Sequence, residues 1–263
     1  MKLKERLLGG SRTSHTEKTK PHQYPVSVNI ITTEEDMLKT ERLFASIPAG
    51  CEIVVVVSKP AMHGGGIHEE IVERTTSEKS DVVVVRREFE GDFNFADARN
   101  CAKRHSSREW IFWLDSDDEI ISSNREILLH ELEEMPAGVG GVFCSCSGIQ
   151  KGLPGEQPTY YAIAHMRIFR NNPRVWWSGV AHEQIADALT KEKYTVQYSD
   201  LIIQHHGYNC EVDEVEHKLI RNVRGMSKEL GEGVNDDIRR KGLEDLLYRD
   251  LGTLLSIRRY NNA

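Results

Sequence analysis

No part of this 263-residue chain approaches the run of about 18 to 20 apolar residues that a membrane-spanning helix requires. Its opening segment, MKLKERLLGGSRTSHTEKTKPHQYP, also lacks the continuous apolar stretch of a secretory signal. Cysteine is scarce and odd in number: Cys51, Cys101, Cys144, Cys146 and Cys210. Cys144 and Cys146 share one face of a predicted strand, and no second pair completes a zinc site. These absences predict a cytoplasmic chain with reduced thiols, most of them in the core. Positive charge is not in excess either. A formal net charge of −7 argues against a chain held to a polyanion by bulk electrostatics. Internal repeats and low-complexity segments are missing. The triplet Gly64-Gly65-Gly66 has no Lys-Ser/Thr behind it, so it reads as a loop and not as a phosphate cradle.

What is present is a globular composition, with 39% hydrophobic and 29% charged residues. Residues 1–24 read as a flexible polar lead-in that ends at Pro25. Four solidly apolar runs follow: Val26 to Ile31, Cys51 to Val57, Val82 to Val85 and Glu109 to Leu114. Such runs, apolar without alternation, belong to strands covered on both faces. Helical patterns are expected between them, at Glu35 to Ser46, in part of Ile67 to Glu78, and at Phe95 to His105. Alternating strand and helix predicts an α/β fold whose mostly parallel sheet carries helices on both faces. Ligands bind such sheets beyond the carboxyl ends of the strands. Beyond a helix at Ser123 to Glu134, the second half adds strands at GVGGVFCSCSG, TYYAIAHMRIFR and Leu201 to Gln204. Residues 211–263 read as a helical extension, Glu211 to Leu230 and Asp236 to Arg259, packed as a hairpin. Its amphipathic faces suit either acceptor binding or a homo-oligomer contact.

The strongest chemical signal is EWIFWLDSDDEI, a strand that delivers Asp115, Asp117 and Asp118 to the sheet edge. Crowded like charges are unfavourable unless a cation neutralises them. Hard carboxylate oxygens suit Mg²⁺ or Mn²⁺ bridging to a diphosphate. A spacing of two lets Asp115 and Asp117 face the same way. The cluster also fits a polar turn with helix-capping aspartates ahead of Ser123. A calcium-binding EF-hand is rejected, because its glycine position is Ile120 and a strand precedes the loop. An Asp-x-Asp phosphatase fits poorly, since its motif ends a first strand and continues with small residues.

The block FNFADARNCAKRHSSREWIFWLDSDDEI resembles the family 2 glycosyltransferases of the GT-A fold, and MRIFRNNPRVWWSGVAHEQI and IIQHHGYN follow in the family's order. The resemblance spans most of residues 26–225. It implies a GT-A domain over 25–210, with a nucleotide-binding half at 25–120 and an acceptor-side half at 121–210. It also implies a metal-dependent inverting transfer from a nucleoside-diphosphate sugar, with UDP favoured. On this reading Asp117 holds the divalent cation, Mn²⁺ or Mg²⁺. Asp115 and Ser116 lie near the donor's ribose or sugar, and Arg99 and Asn100 orient the aspartates or touch the donor. Thr32 and Glu34 lie where the family contacts nucleoside. His205, ahead of His206, completes the metal shell, and Glu183 of His182-Glu183-Gln184 is the general base. Trp176-Trp177 could stack on a sugar or serve the core. One departure stands out: Ser58 occupies the place of an aspartate that contacts the base, so the nucleotide is open. The acceptor, whether sugar, peptide, lipid-linked intermediate or nucleic-acid base, is not legible. Competing readings are a non-catalytic nucleotide-sugar-binding module working with a partner subunit and, ranked low because TTEED follows the first strand, a nucleotidyltransferase.

Overall fold

The computed structural model describes residues 22–261 except 37–39, 61–69, 78, 90–92, 124, 152–156, 181, 208–211 and 235. The glycine triplet, Tyr208, Cys210 and residues 1–21 of the lead-in lie outside the described residues. In chain order the elements are β1 (Val26–Thr33), α1 (Glu41–Ser46), β2 (Glu52–Pro60), β3 (Ile71–Thr76), β4 (Asp81–Phe89), α2 (Phe95–His105), β5 (Trp110–Asp115) and β6 (Asp118–Ile120). Then come α3 (Arg125–Glu131), β7 (Val139–Gln150), β8 (Thr159–Arg170), α4 (Ala186–Lys191), β9 (Thr195–His205), α5 (Val212–Glu232) and α6 (Asp237–Asn261).

The described strands form one sheet of nine in the order β3-β4-β2-β1-β5-β8-β7-β9-β6. The four strands β4-β2-β1-β5 are parallel. Successive side chains of these strands enter opposite layers. Val28, Ile30, Val55 and Val57 pack with Leu43 of α1 and with Leu128 and Leu129 of α3. Ile31, Val54, Val56, Val83 and Val85 pack with Ala98, Cys101 and Ala102 of α2. Both faces of these strands are therefore buried and serve two cores, as the sequence predicts, with Ser27 and Asn29 of β1 as buried polar exceptions. The register aligns Thr33 with Ser58, Ser58 with Arg87, and Ile31 with Asp115, so the carboxyl ends of four strands share one edge.

Two local differences from expectation have physical causes. Ile71–Thr76, inside the segment expected to carry a helix, is an exposed edge strand antiparallel to β4. Its β-branched Ile71, Val72, Thr75 and Thr76 favour extended backbone, and its charged residues suit an open edge. The three-residue β6 was not expected at all. It forms by antiparallel pairing with β9, a partner more than 80 residues away, and aligns Asp118 with His205.

At the C-terminus, Met226 of α5 packs on Leu243 of α6, and Leu219 on Leu254 and Ile257, giving the expected hairpin. The four described cysteines are buried and free of disulfides. Burial pushes the Cys51 and Cys144 thiols up to about 12. No described helix is long and apolar enough to cross a membrane.

Trp110 starts β5 from a fully buried position, its indole Nε1 donating to Leu132 O at 3.1 Å. Trp110→Ala should therefore destabilise the fold by about 3–5 kcal/mol in urea unfolding. A loss under about 1 kcal/mol would mean that the site collapses around the gap.

Candidate active site

The centre is built where β5 ends. Trp113, the last aromatic of that strand, is buried and donates from its indole Nε1 to Met166 O at 2.8 Å. Two guanidiniums lie over its ring, Arg99 of α2 and Arg167 of β8, each 3.9 Å from the centroid. Helix α2 begins at Asn94, whose side chain accepts from Asp97 N and caps the first turn. Arg99, one turn further, is aimed back at the end of β5. It is fully buried apart from a few per cent of its surface, and two carboxylates compensate its charge. Nη2 donates to Asp115 Oδ1 at 2.9 Å, and Nε donates to Glu183 Oε1 at 2.5 Å. Residues 16 and 84 positions away thus meet on one guanidinium.

The acidic turn is asymmetric. Asp118 is wholly buried and structural in its contacts: Oδ2 accepts from Asp115 N at 2.8 Å and from Arg167 Nη1 at 2.9 Å. Its Oδ1 lies 2.8 Å from His205 Nδ1. Asp115 and Asp117 are about one quarter exposed. Asp117 Oδ1 lies 3.4 Å from His205 Nδ1, and its Oδ2 lies 3.8 Å from Lys218 Nζ of α5. Ligand atoms of Asp115, Asp117, Asp118 and His205 all fall within 4.8 Å of one another. Gly207 closes this corner. A Cβ there would stand 2.5 Å from both Asp117 Oδ2 and His205 Nε2, so any larger residue would push them aside. Three carboxylates and an imidazole, gathered beside a glycine cradle, form a donor set that fits a hard divalent cation.

Titration behaviour follows the same asymmetry. Burial opposes ionisation of Asp115, yet Arg99, Arg167 and His205 outweigh it and hold the carboxyl well below the usual carboxylate range. Asp117 moves the other way: burial, with the charges of Asp115 and Asp118, raises it against the pull of His205 and Lys218. Burial opposes the charged form of His205, but its hydrogen bond to Asp118 and the charges of Asp117 and Asp118 raise its pKa. His165, edge-on to Trp113, is driven down to about 4 by burial and then by Arg167, and so is neutral near pH 7.

The remaining sequence candidates occupy other places. Asn100 is bound into the scaffold, exchanging hydrogen bonds with the Trp177 backbone at 3.0 and 2.9 Å. Thr32 is buried at the end of β1, and its hydroxyl donates to Thr33 O. Glu34 is exposed and pairs with Arg86 at 3.5 Å. Ser116 is half-buried in the turn between β5 and β6. Ser58 is buried with its Oγ unpartnered among the described residues. Trp177 belongs to the core, edge-on to Trp113 and Phe169, whereas Trp176 is partly exposed under the ammonium of Lys103. His206 turns away to Glu119, 3.1 Å distant. The sequence reading missed Arg167, Gly207 and Lys218. The first lay in plain sight as the charged residue inside the apolar run HMRIF, a place where charge needs a buried partner.

Residues 41–194 match the family model described as Glycosyl transferase family 2. That segment holds Arg99, Asp115 to Asp118 and Glu183, while His205 and the helical hairpin lie beyond it. No curated protein matches the chain in sequence. Among solved structures, the chain is similar to a mannosyltransferase from Pyrobaculum calidifontis in complex with GDP-Man and Mn²⁺, at 16% identity and a TM-score of 0.47, covering 97% of this chain and 79% of that one. It is also similar to S. aureus TarS 1–349 in complex with UDP, at 14% identity and a TM-score of 0.44, covering 90% and 73%. The same TarS segment with UDP-GlcNAc aligns at 14% identity and a TM-score of 0.41, covering 86% and 71%. With the family model spanning more than half of its length, the chain belongs to the family 2 glycosyltransferases and has their GT-A fold.

Proposed function

We propose that this glycosyltransferase is metal-dependent and inverting, moving a sugar from a nucleoside-diphosphate donor, UDP-sugars first, to an acceptor hydroxyl or other nucleophile. The observation that carries the reading is Arg99. One guanidinium ties Asp115 to Glu183 of the His-Glu block, which supports reading the two carboxylates as parts of one site.

Asp117 and His205, with Asp115 and Asp118 beside them, are the residues that would hold Mn²⁺ or Mg²⁺. Bound there, the cation supplies positive charge against the donor diphosphate. Asp115, kept ionised by two arginines, accepts a hydrogen bond from a ribose or sugar hydroxyl. Thr32, Glu34 and Ser116 border the nucleoside at the ends of β1 and β5. Glu183 takes the proton from the acceptor hydroxyl as that oxygen bonds to the anomeric carbon. The bond from that carbon to the diphosphate oxygen breaks on the opposite face, and the configuration inverts. Arg99 fixes the Glu183 carboxylate, and Asn100 holds the backbone of Trp177 upstream of it, so the rate gain comes from positioning and electrostatics. Buried free thiols at four positions agree with a reducing, cytoplasmic setting.

Asp117→Ala should abolish Mn²⁺-dependent release of nucleoside diphosphate from UDP- and GDP-sugars while leaving circular dichroism unchanged. Full activity in that variant would remove Asp117 from the metal site. Glu183→Gln should bind donor as the wild type does and lose transfer by about 100-fold or more; retained turnover would eliminate it as the base. Gly207→Ala should weaken Mn²⁺ binding about tenfold or more in calorimetry, because its methyl displaces Asp117 and His205. Unaltered affinity would show that these two groups do not share the ion.

A further inference from the structure

Glu183 stands in a segment whose backbone is not relaxed. Gly179 has φ +95°, and His182, a residue with a Cβ, has φ +52°. Left-handed backbone at a non-glycine residue is unfavourable and persists only where the surroundings impose it. The surroundings here are the C-terminal hairpin. Glu229 of α5 accepts from Val180 N at 2.8 Å. Arg239 of α6 donates from Nη1 to His182 O at 2.9 Å and from Nε to Glu229 Oε1 at 3.0 Å. The two side chains are less than one fifth exposed. Gly179 makes room for them, since a Cβ there would lie 2.3 Å from Arg239 Nη2. His182 Nε2 and Asp250 Oδ2 of α6 are also buried and lack hydrogen-bond partners among the described residues. None of the hairpin belongs to the stretch matched by the family model, which ends at residue 194.

We propose that Glu229 and Arg239 are positioning residues for Glu183: the hairpin clasps the backbone on both sides of the strained turn and sets where the Glu183 carboxylate meets Arg99 and the acceptor. The helical extension is therefore part of the catalytic apparatus of this chain. This rests on the reading of Glu183 as the base. The clasp holds the backbone at Val180 and His182, and Arg99 holds the side chain at Glu183. The carboxylate is fixed only when both act.

The test compares Glu229→Ala, Arg239→Ala, Arg239→Lys and Glu229→Gln with the wild type, using GDP-mannose and UDP-N-acetylglucosamine with Mn²⁺ as donor probes. Three quantities are measured: kcat and donor KM for nucleoside diphosphate release, amide hydrogen exchange over residues 177–184, and circular dichroism. The alanine variants should keep their helix content and donor KM, lose about 10- to 100-fold in kcat, and exchange faster at Val180. Arg239→Lys, retaining one donor, and Glu229→Gln, retaining an acceptor for Val180 N, should fall between, which also covers alanine variants that fail to fold. Wild-type kcat in all four variants, or lowered kcat with unchanged exchange over 177–184, overturns the clasp. Glu183→Gln runs alongside. If it is inactive while the hairpin variants are fully active, this proposal alone falls. If it turns over like the wild type, the base assignment falls and the proposal goes with it.

Discussion

Arg99 holds the site together. A guanidinium buried to this depth is unfavourable unless its charge is answered, and here Asp115 and Glu183 answer it from two separate lengths of chain. The planar fork is what makes the bridge feasible: Nε and Nη2 leave one edge at fixed angles, which an ammonium could not reproduce. Trp113 supplies the floor, giving Arg99 an aromatic face to lie on while its nitrogens reach outward. Removing the guanidinium would leave two carboxylates without the cation they share. The interaction therefore sets the distance between Asp115 and Glu183.

Around that bridge, charge is distributed unevenly with chemical effect. Asp118 is enclosed and satisfied by Arg167, His205 and the Asp115 amide. Asp115 is stabilised as an anion by its arginines. Asp117 is left with the least compensation, its pKa raised by burial and by its two acidic neighbours. Of the three aspartates it is the one at which added positive charge relieves most. Asp118 is thus a strut, Asp115 an anion held by two arginines, and Asp117 the aspartate with the least compensation.

Much of this was legible in the sequence because its causes are local or periodic. Doubly covered strands need mostly apolar runs, and Val26 to Ile31, Cys51 to Val57 and Glu109 to Leu114 announce themselves despite the polar residues in them. Asp115 to Asp118 follow such a run directly, so their place at a sheet edge follows from counting. What stayed hidden depends on long-range pairing. The short β6 exists only because β9 pairs with it, and three residues carry no periodicity of their own. The strand Ile71–Thr76 was obscured by charges that look equally at home on a surface helix. Asn100 sits beside Arg99 in sequence yet points to the Trp177 backbone, because neighbours on a helix are turned about 100° apart. Arg167 was readable in principle, as a cation in an apolar strand, but nothing local names Asp118 as its partner.

The pairing of β6 with β9 makes strand register a chemical quantity. Side chains alternate along β9, so a slip of one position would present Gln204 to Asp118 and turn His205 to the other face. β9 reaches that pairing after running beside β7 with two breaks in register, between Val139 and Gly141 and between Phe143 and Ser145. Each bulge is a correction in the count that brings the imidazole to the correct level. A single-residue insertion or deletion along β9 would thus move His205 off Asp118 as surely as replacing the histidine itself, and would turn Leu201 and Ile203 out of the core with it.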